Sequence, residues 1–231
     1  MKKLITVVIA SLFSLCMFTI ANAGEVYGNQ TGGAIGVSLN KSAFGGQGKE
    51  TNTTQVTEEY GAFADDNMSV FAEYSFGNGL SVGVEYHPGA ISSPTNTNVQ
   101  VDGSTSGTET HPSGGTAKTN TASVDFEDLS TLYLMWASEV GIYSKIGYSH
   151  VDVATTESLA TGGSYNNVST DGVTLGLGYQ HVADTGIFAR FEVSATAWDS
   201  VTASNTTDAT KKIEVTDMAS ASASLKIGKT F

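Results

Sequence analysis

The sequence predicts an all-β fold: an eight-stranded, antiparallel, up-and-down transmembrane β-barrel. Three observations carry that expectation. Residues 219–231 alternate with period two, Ala219, Ala221, Ala223, Leu225, Ile227 and Phe231 against Ser220, Ser222, Ser224, Lys226, Gly228 and Thr230. That run is long enough for a strand to cross a bilayer with one face to lipid and one to a lumen, and only closed barrels place strands there. Seven further runs alternate in the same way, and the connections between them are by turns long and tight. The chain also opens like an exported protein: Met1-Lys2-Lys3, an apolar run over residues 4–20 and the small-x-small site Ala21-Asn22-Ala23 read as a cleavable signal peptide over residues 1–23. Residues 24–231 are then the barrel domain. Cys16 follows Leu15 inside the apolar run, so neither a lipid anchor nor a disulfide is expected.

The first strand covers residues 33–41, with Ile35, Val37 and Leu39 outward. A polar stretch, residues 43–67, reads as a loop. The second strand, residues 68–76, turns Met68, Val70, Ala72, Tyr74 and Phe76 outward, and Gly77-Asn78-Gly79 makes a tight hairpin, since Gly and Asn tolerate positive φ. The third, residues 80–87, faces Leu80, Val82, Val84 and Tyr86 outward. Residues 88–128, rich in Thr, Ser, Gly and Asn, read as a second loop. The fourth strand, residues 129–137, carries Leu132, Leu134 and Trp136, and Ser138-Glu139-Val140 turns the chain.

The fifth strand starts at Gly141 with Ile142, Ile146 and Tyr148 outward. Near His150 its phase slips by one before Val151 and Val153, which suggests a β-bulge in this strand. Residues 154–171, with Gly162-Gly163, read as a third loop. The sixth strand, residues 172–180, is the cleanest, Val173, Leu175, Leu177 and Tyr179 against Thr174, Gly176, Gly178 and Gln180. Asp184-Thr185-Gly186 leads to the seventh, residues 187–197, and residues 198–217 form the fourth loop before the closing strand. The order long, tight, long, tight, long, tight, long puts the four loops on the outer side and both termini with the turns on the periplasmic side. Aromatic residues gather at strand ends as two girdles: Phe76, Trp136, Tyr179 and Phe231 on the turn side, Tyr86, Tyr148 and Trp198 on the loop side.

Lumen-facing positions hold six charges, Glu73, Glu85, Lys145, Arg190, Glu192 and Lys226, each four to six residues from its periplasmic turn or end. Three acids and three bases at one height predict a charge network closing the waist, with Arg190 central between Glu192 and the Glu73 and Glu85 carboxylates. Lys229 is the exception on the lipid face, where its stem can carry the charge to the interface.

Ending on Phe231, with Leu225 and Ile227 at alternate positions before it, resembles the C-terminal assembly signal of bacterial outer-membrane barrels. Eight strands and a signal peptide add a resemblance to the small OmpA, OmpX and opacity-type group. The resemblance implies insertion by the barrel-assembly machinery into a Gram-negative outer membrane, lipid and lipopolysaccharide as surroundings, and a charged cluster in the lumen. No second domain is expected after the barrel, so peptidoglycan binding is not carried over.

The formal charge of −12 becomes −14 without Lys2 and Lys3, which argues against nucleic acid as a partner. Counted over residues 41–66, 102–128, 152–171 and 199–217, the loop regions hold 17 acids against five lysines, an anionic rim able to hold divalent cations weakly. His87, His111, His150 and His181 lie at strand ends or in loops and make no nucleophile-base-acid set. No metal-ligand spacing, catalytic residue or cofactor site is expected. A monomer with a structural or surface role is expected, with at most small-solute permeation. An adhesin or ligand-binding protein acting through its loops is the alternative, followed by a lipid-active enzyme and a soluble secreted barrel.

Overall fold

The computed structural model describes residues 31–52, 55–101, 117–158 and 164–231. The proposed signal peptide, Cys16, His111 and Gly162-Gly163 lie outside the described residues. Among the described residues eleven strands form one antiparallel sheet: β1 (Thr31–Asn52), β2 (Gln55–Phe76), β3 (Leu80–Tyr86), β4 (Ile91–Ser92), β5 (Asn96–Val101), β6 (Ala117–Ala137), β7 (Ile142–Ser158), β8 (Val168–Val182), β9 (Ile187–Trp198), β10 (Val201–Ser204) and β11 (Lys211–Thr230). Eight of them close a ring in the order β1, β2, β3, β6, β7, β8, β9, β11, and β11 returns to β1 with Ala34 opposite Thr230 and Leu39 opposite Leu225. Closure leaves no edge in the lower barrel, the condition for placing strands in lipid.

Alternation sorts the side chains. Ile35, Leu39, Met68, Leu132, Leu134, Ile146, Leu175, Leu225 and Ile227 are each between 49% and 61% exposed. Their parity neighbours Ser38, Asn40, Ser69, Lys145, Thr174 and Lys226 are buried. The barrel is therefore apolar outside and polar inside over this zone. The tight turns fall where expected. In two of them the N–H of a glycine donates to the carbonyl three residues back, Gly141 to Ser138 at 3.0 Å and Gly186 to Ala183 at 2.8 Å. Those glycines sit at φ 87° and 79°, the left-handed region such a turn requires.

The expected long loops are mostly strand. β1 and β2 stay paired up to Asn52 opposite Gln55, and β6 pairs with β7 up to Thr121 opposite Ser158. The Thr, Ser and Asn of these stretches favour strand or tolerate it, but their weak hydropathy hides the period of two. At about 3.3 Å per residue and a tilt near 40°, the 22 residues of β1 rise roughly 55 Å, about twice the height of an apolar band in a transmembrane barrel. About half of the barrel thus forms a head beyond the belt.

The bulge expected in the fifth strand is not there. β7 pairs with β8 without a register break and Ser149, Val151 and Val153 all point inward. The break lies in its neighbour β6, between Glu127 and Ser130, where Asp128 and Leu129 oppose the single residue Val151. A second break lies between Gly45 and Gln47 of β1, opposite Asp217 and Met218 of β11. Asp128 (φ 53°) and Asp217 (φ 51°) are the positive-φ residues other than glycine among the described residues. Aspartate is one of the few side chains that enters this region readily, and a bulge is where it is needed.

Candidate functional site

The lumen is built in three storeys. In the lowest, strand parity and register bring the six predicted charges together, each less than 8% exposed. They divide into two groups. Arg190 of β9 forks onto Glu73 of β2, Nη1 to Oε1 at 2.6 Å and Nη2 to Oε2 at 2.7 Å. Its Nε donates to Gln180 at 2.9 Å, and the Tyr133 hydroxyl donates to Glu73 at 2.6 Å. The guanidinium also lies over the Phe188 ring at 4.4 Å. The other four charges form a ring. Lys145 reaches Glu192 at 2.5 Å and Glu85 at 3.3 Å, and Lys226 reaches Glu85 at 2.7 Å and Glu192 at 3.3 Å. Ser69 donates to Glu85 at 2.7 Å and Tyr143 to Glu192 at 3.0 Å. Arg190 is therefore not the shared centre that the sequence suggested. Its planar fork matches one carboxylate bidentately, whereas the ammonium groups, as point charges with three donors, suit the bridging positions.

Sequence reasoning missed the aromatic frame. Phe71, Tyr133, Tyr143 and Phe188 point inward, each directly opposite a glycine in the ladder: Gly36, Gly83, Gly178 and Gly228. A Cβ on Gly83 would sit 2.5 Å from the Tyr133 ring, and one on Gly178 would sit 2.4 Å from Tyr143. The missing side chains are the space the rings occupy, which holds the two phenols at the carboxylates. An aromatic residue on the lumen parity beside a glycine-rich strand was the available signal.

The middle storey is lined by hydroxyls. Thr131, Ser149, Thr174 and Thr196 share hydrogen bonds of 2.8, 2.6 and 2.7 Å around the wall. A cavity of about 50 Å³ lies here, room for a few waters. Among the described residues no buried side-chain nitrogen or oxygen lacks a hydrogen-bond partner.

The top storey is apolar. Phe44, Ile91, Phe126, Leu129, Val151, Val153, Trp198 and Met218 form one buried cluster. Phe44 stacks on Phe126 at 4.9 Å and on Phe63 at 5.3 Å. Trp198 belongs here and not to the girdle: it is 9% exposed and its Nε1 donates to Ser220 at 3.0 Å. It shares its parity on β9 with Arg190 and Glu192, so alternation turns it inward. The other girdle residues, Phe76, Tyr86, Trp136, Tyr148, Tyr179 and Phe231, are exposed on the outer face, as are Leu225 and Ile227. Lys229 also faces outward, with Nζ 6.0 Å from the Phe231 ring centre.

Two histidines lie just past the loop-side girdle. Half-buried His87 meets Asn67 at 2.9 Å, and burial pushes its pKa down to about 4. His150 on the outer face meets Asp171 at 2.7 Å and Asp152 at 3.6 Å. Its hydrogen bond to Asp171 raises the imidazole above its ordinary value and lowers the Asp171 carboxyl. His181 is exposed near the turn-side end of β8, far along the strand from both. Among the described residues no group of three or more histidines, cysteines and carboxylates could hold a metal ion.

No protein-family model matches the sequence, and no curated protein matches it. Solved structures do. The outer membrane protein OprG from Pseudomonas aeruginosa superposes with a TM-score of 0.55 at 11% identity, over 90% of this chain and 99% of that one. Ail, the attachment invasion locus protein of Yersinia pestis, solved with the heparin analogue sucrose octasulfate, gives 0.42 at 11% identity over 87% and 99%. The outer membrane protease OmpT from Escherichia coli gives 0.44 at 9% identity over 91% and 99%. The likeness to OprG is one of fold: the chain is a small antiparallel β-barrel of the kind found in outer membranes.

Proposed function

We propose that this chain is an integral outer-membrane barrel that conducts little or nothing and serves as a rigid mount for a head on the cell surface. The observation that carries the proposal is the double closure of the lumen, by a fully paired charge network in the lower storey and by a packed apolar cluster in the upper one. A pore must keep a wet path, and this interior spends its cross-section on ion pairs and rings.

The outward belt supports membrane insertion over a soluble secreted barrel. Contiguous exposure of side chains such as Leu39, Leu132, Leu175 and Leu225 over the whole circumference has no place in water. The paired strands beyond the belt support a surface role, since they stiffen the segments on which binding would depend. Export through the signal peptide, periplasmic termini and lipopolysaccharide as neighbour belong to the same proposal.

Recognition through the head is the second reading, favoured by its height and by the packed core that fixes its shape. The test combines location and closure. Extracted outer membranes should contain a species whose gel mobility changes on boiling, and the purified barrel in planar bilayers should show no steady conductance. Recovery in the periplasm or medium, or a large open pore, would overturn the proposal.

A further inference from the structure

Strand β2 outruns the strand beside it. It pairs with β1 over its whole length, but with β3 only from Val70 to Ser75. β3 stops at Tyr86, and the chain beyond it pairs with β6 as β4 and β5. Between Asn67 and the top of β2 the barrel wall therefore has a seam. Contacts across its lower end run through side chains, His87 to Asn67 at 2.9 Å and the Ser92 N–H to Asp65 at 3.3 Å. Among the described residues, the second edge of residues 56–66 has no backbone partner.

The two banks of the seam differ. Proline cannot donate to a ladder, and Pro88 and Pro94 flank β4 on the far bank. Residues 56–66 contain neither proline nor lysine, the usual means of blunting an edge. This bank is instead acidic, with Glu58, Glu59, Asp65 and Asp66. Lys41 and Lys49 answer from β1, at 2.8 Å to Asp66 and 3.9 Å to Glu58. Val56 and Tyr60, 55% and 63% exposed, alternate with Glu58 on the outer face. A second copy of this chain added here would set like charges opposite one another, which is destabilising.

We infer that the open edge of β2, residues 56–66, accepts an extended cationic segment of another protein as an added strand. Backbone hydrogen bonds hold the segment, and its lysines or arginines on the outer face meet Glu58, with their aliphatic stems beside Val56 and Tyr60. The inference rests on the reading of the upper barrel as a water-exposed head.

The test uses the folded barrel in detergent micelles, so that it does not depend on where the protein resides in the cell. The probe is a twelve-residue peptide alternating lysine and threonine, beside the same peptide N-methylated at every second residue and a glutamate-threonine control. The lysine peptide should bind and slow amide exchange at alternate residues of 56–66. N-methylation, which keeps the charge and removes donors, should weaken binding roughly tenfold or more, and the control should not bind. Glu58→Lys, checked for folding by its gel mobility before and after boiling, should lose binding to a similar degree. No binding, equal binding by the N-methylated peptide, or amides at 56–66 that are all protected in the free protein would each overturn the inference. A failure of the surface proposal would show instead in fractionation, with peptide binding intact.

Discussion

Replacing Arg190 by methionine tests the lower storey most directly. Methionine keeps the apolar stem against Phe188 and removes the fork, leaving Glu73, 6% exposed, with the Tyr133 hydroxyl as its partner. Breaking a buried pair from one side costs about 3–5 kcal/mol, because the remaining charge is stranded. That is roughly two to four orders of magnitude in the folding equilibrium. Adding Glu73→Gln should return much of the loss, since the stranded charge is then gone and Tyr133 can still donate to the amide oxygen. Unfolding by urea in lipid vesicles, followed by tryptophan fluorescence and by gel mobility, measures both variants. Planar-bilayer recordings should show Arg190→Met noisier than the parent but not widely open, because the Lys145, Lys226, Glu85 and Glu192 ring still blocks the waist. A single variant as stable as the parent, or a double variant no better than the single one, would refute the pairing argument.

Other consequences can be checked separately. Phe231→Ser should leave export intact and reduce the folded fraction in the outer membrane, read as loss of the heat-modifiable band, because the terminal aromatic residue of the closing strand is gone. Trp198→Ala should cost about 3–5 kcal/mol by cavity formation and should expose the head to protease while leaving conductance unchanged. A change confined to the belt would contradict its inward place. Gly83→Leu should displace Tyr133 from Glu73 and destabilise the barrel, whereas the same change at outward Gly45 should be milder, as vesicle unfolding would report. His150 should titrate above an ordinary histidine and His87 near pH 4 in NMR titrations. By linkage, the contribution of His150 is present below about pH 6.5 and fades as pH rises through its raised value, whereas stability at His87 falls as pH drops from about 6.5 towards 4.

The belt and the charges were legible because a strand in lipid obeys a rule visible in one dimension. Leu225 and Ile227 on odd positions and Lys226 between them state which way each residue points before any partner is known. Partner choice was not legible. Which carboxylate Arg190 would take depends on the stagger between β2 and β9, which are not neighbours in the ring, and on Tyr133 and Gln180 sitting beside Glu73 and Arg190. Trp198 was legible by parity but was read by its position at a strand end. The head was the least visible part. Residues 43–52, 55–67, 201–204 and 211–217 pair as strands whose outer face meets water, so composition no longer alternates, and the phase change at Asp128 disguises Phe126 as a residue out of step.

Those two aspartates mark where the physics of the barrel changes. On β1 and β7 the lumen residues pass from polar to apolar without a change of parity, Ser42 to Phe44 and Ser149 to Val151. On β6 and β11 the same transition needs a phase change: Asp128 and Asp217 adopt positive φ, the strands bulge, and Phe126 and Val215 come to face the others inside. Below this level the barrel is apolar outside and held inside by ion pairs. Above it, Asp125, Glu127 and Asp152 lie outside and the interior is a hydrophobic core like that of a soluble domain. Backbone pairing runs through the boundary, so the head cannot pivot on the membrane part as a separate domain would. Stability in the two halves should respond to different agents as well. Substitution of a single charge should weaken the lower barrel, whose pairs are shielded from salt by burial, while cavity-forming substitutions should loosen the head and leave the belt in place.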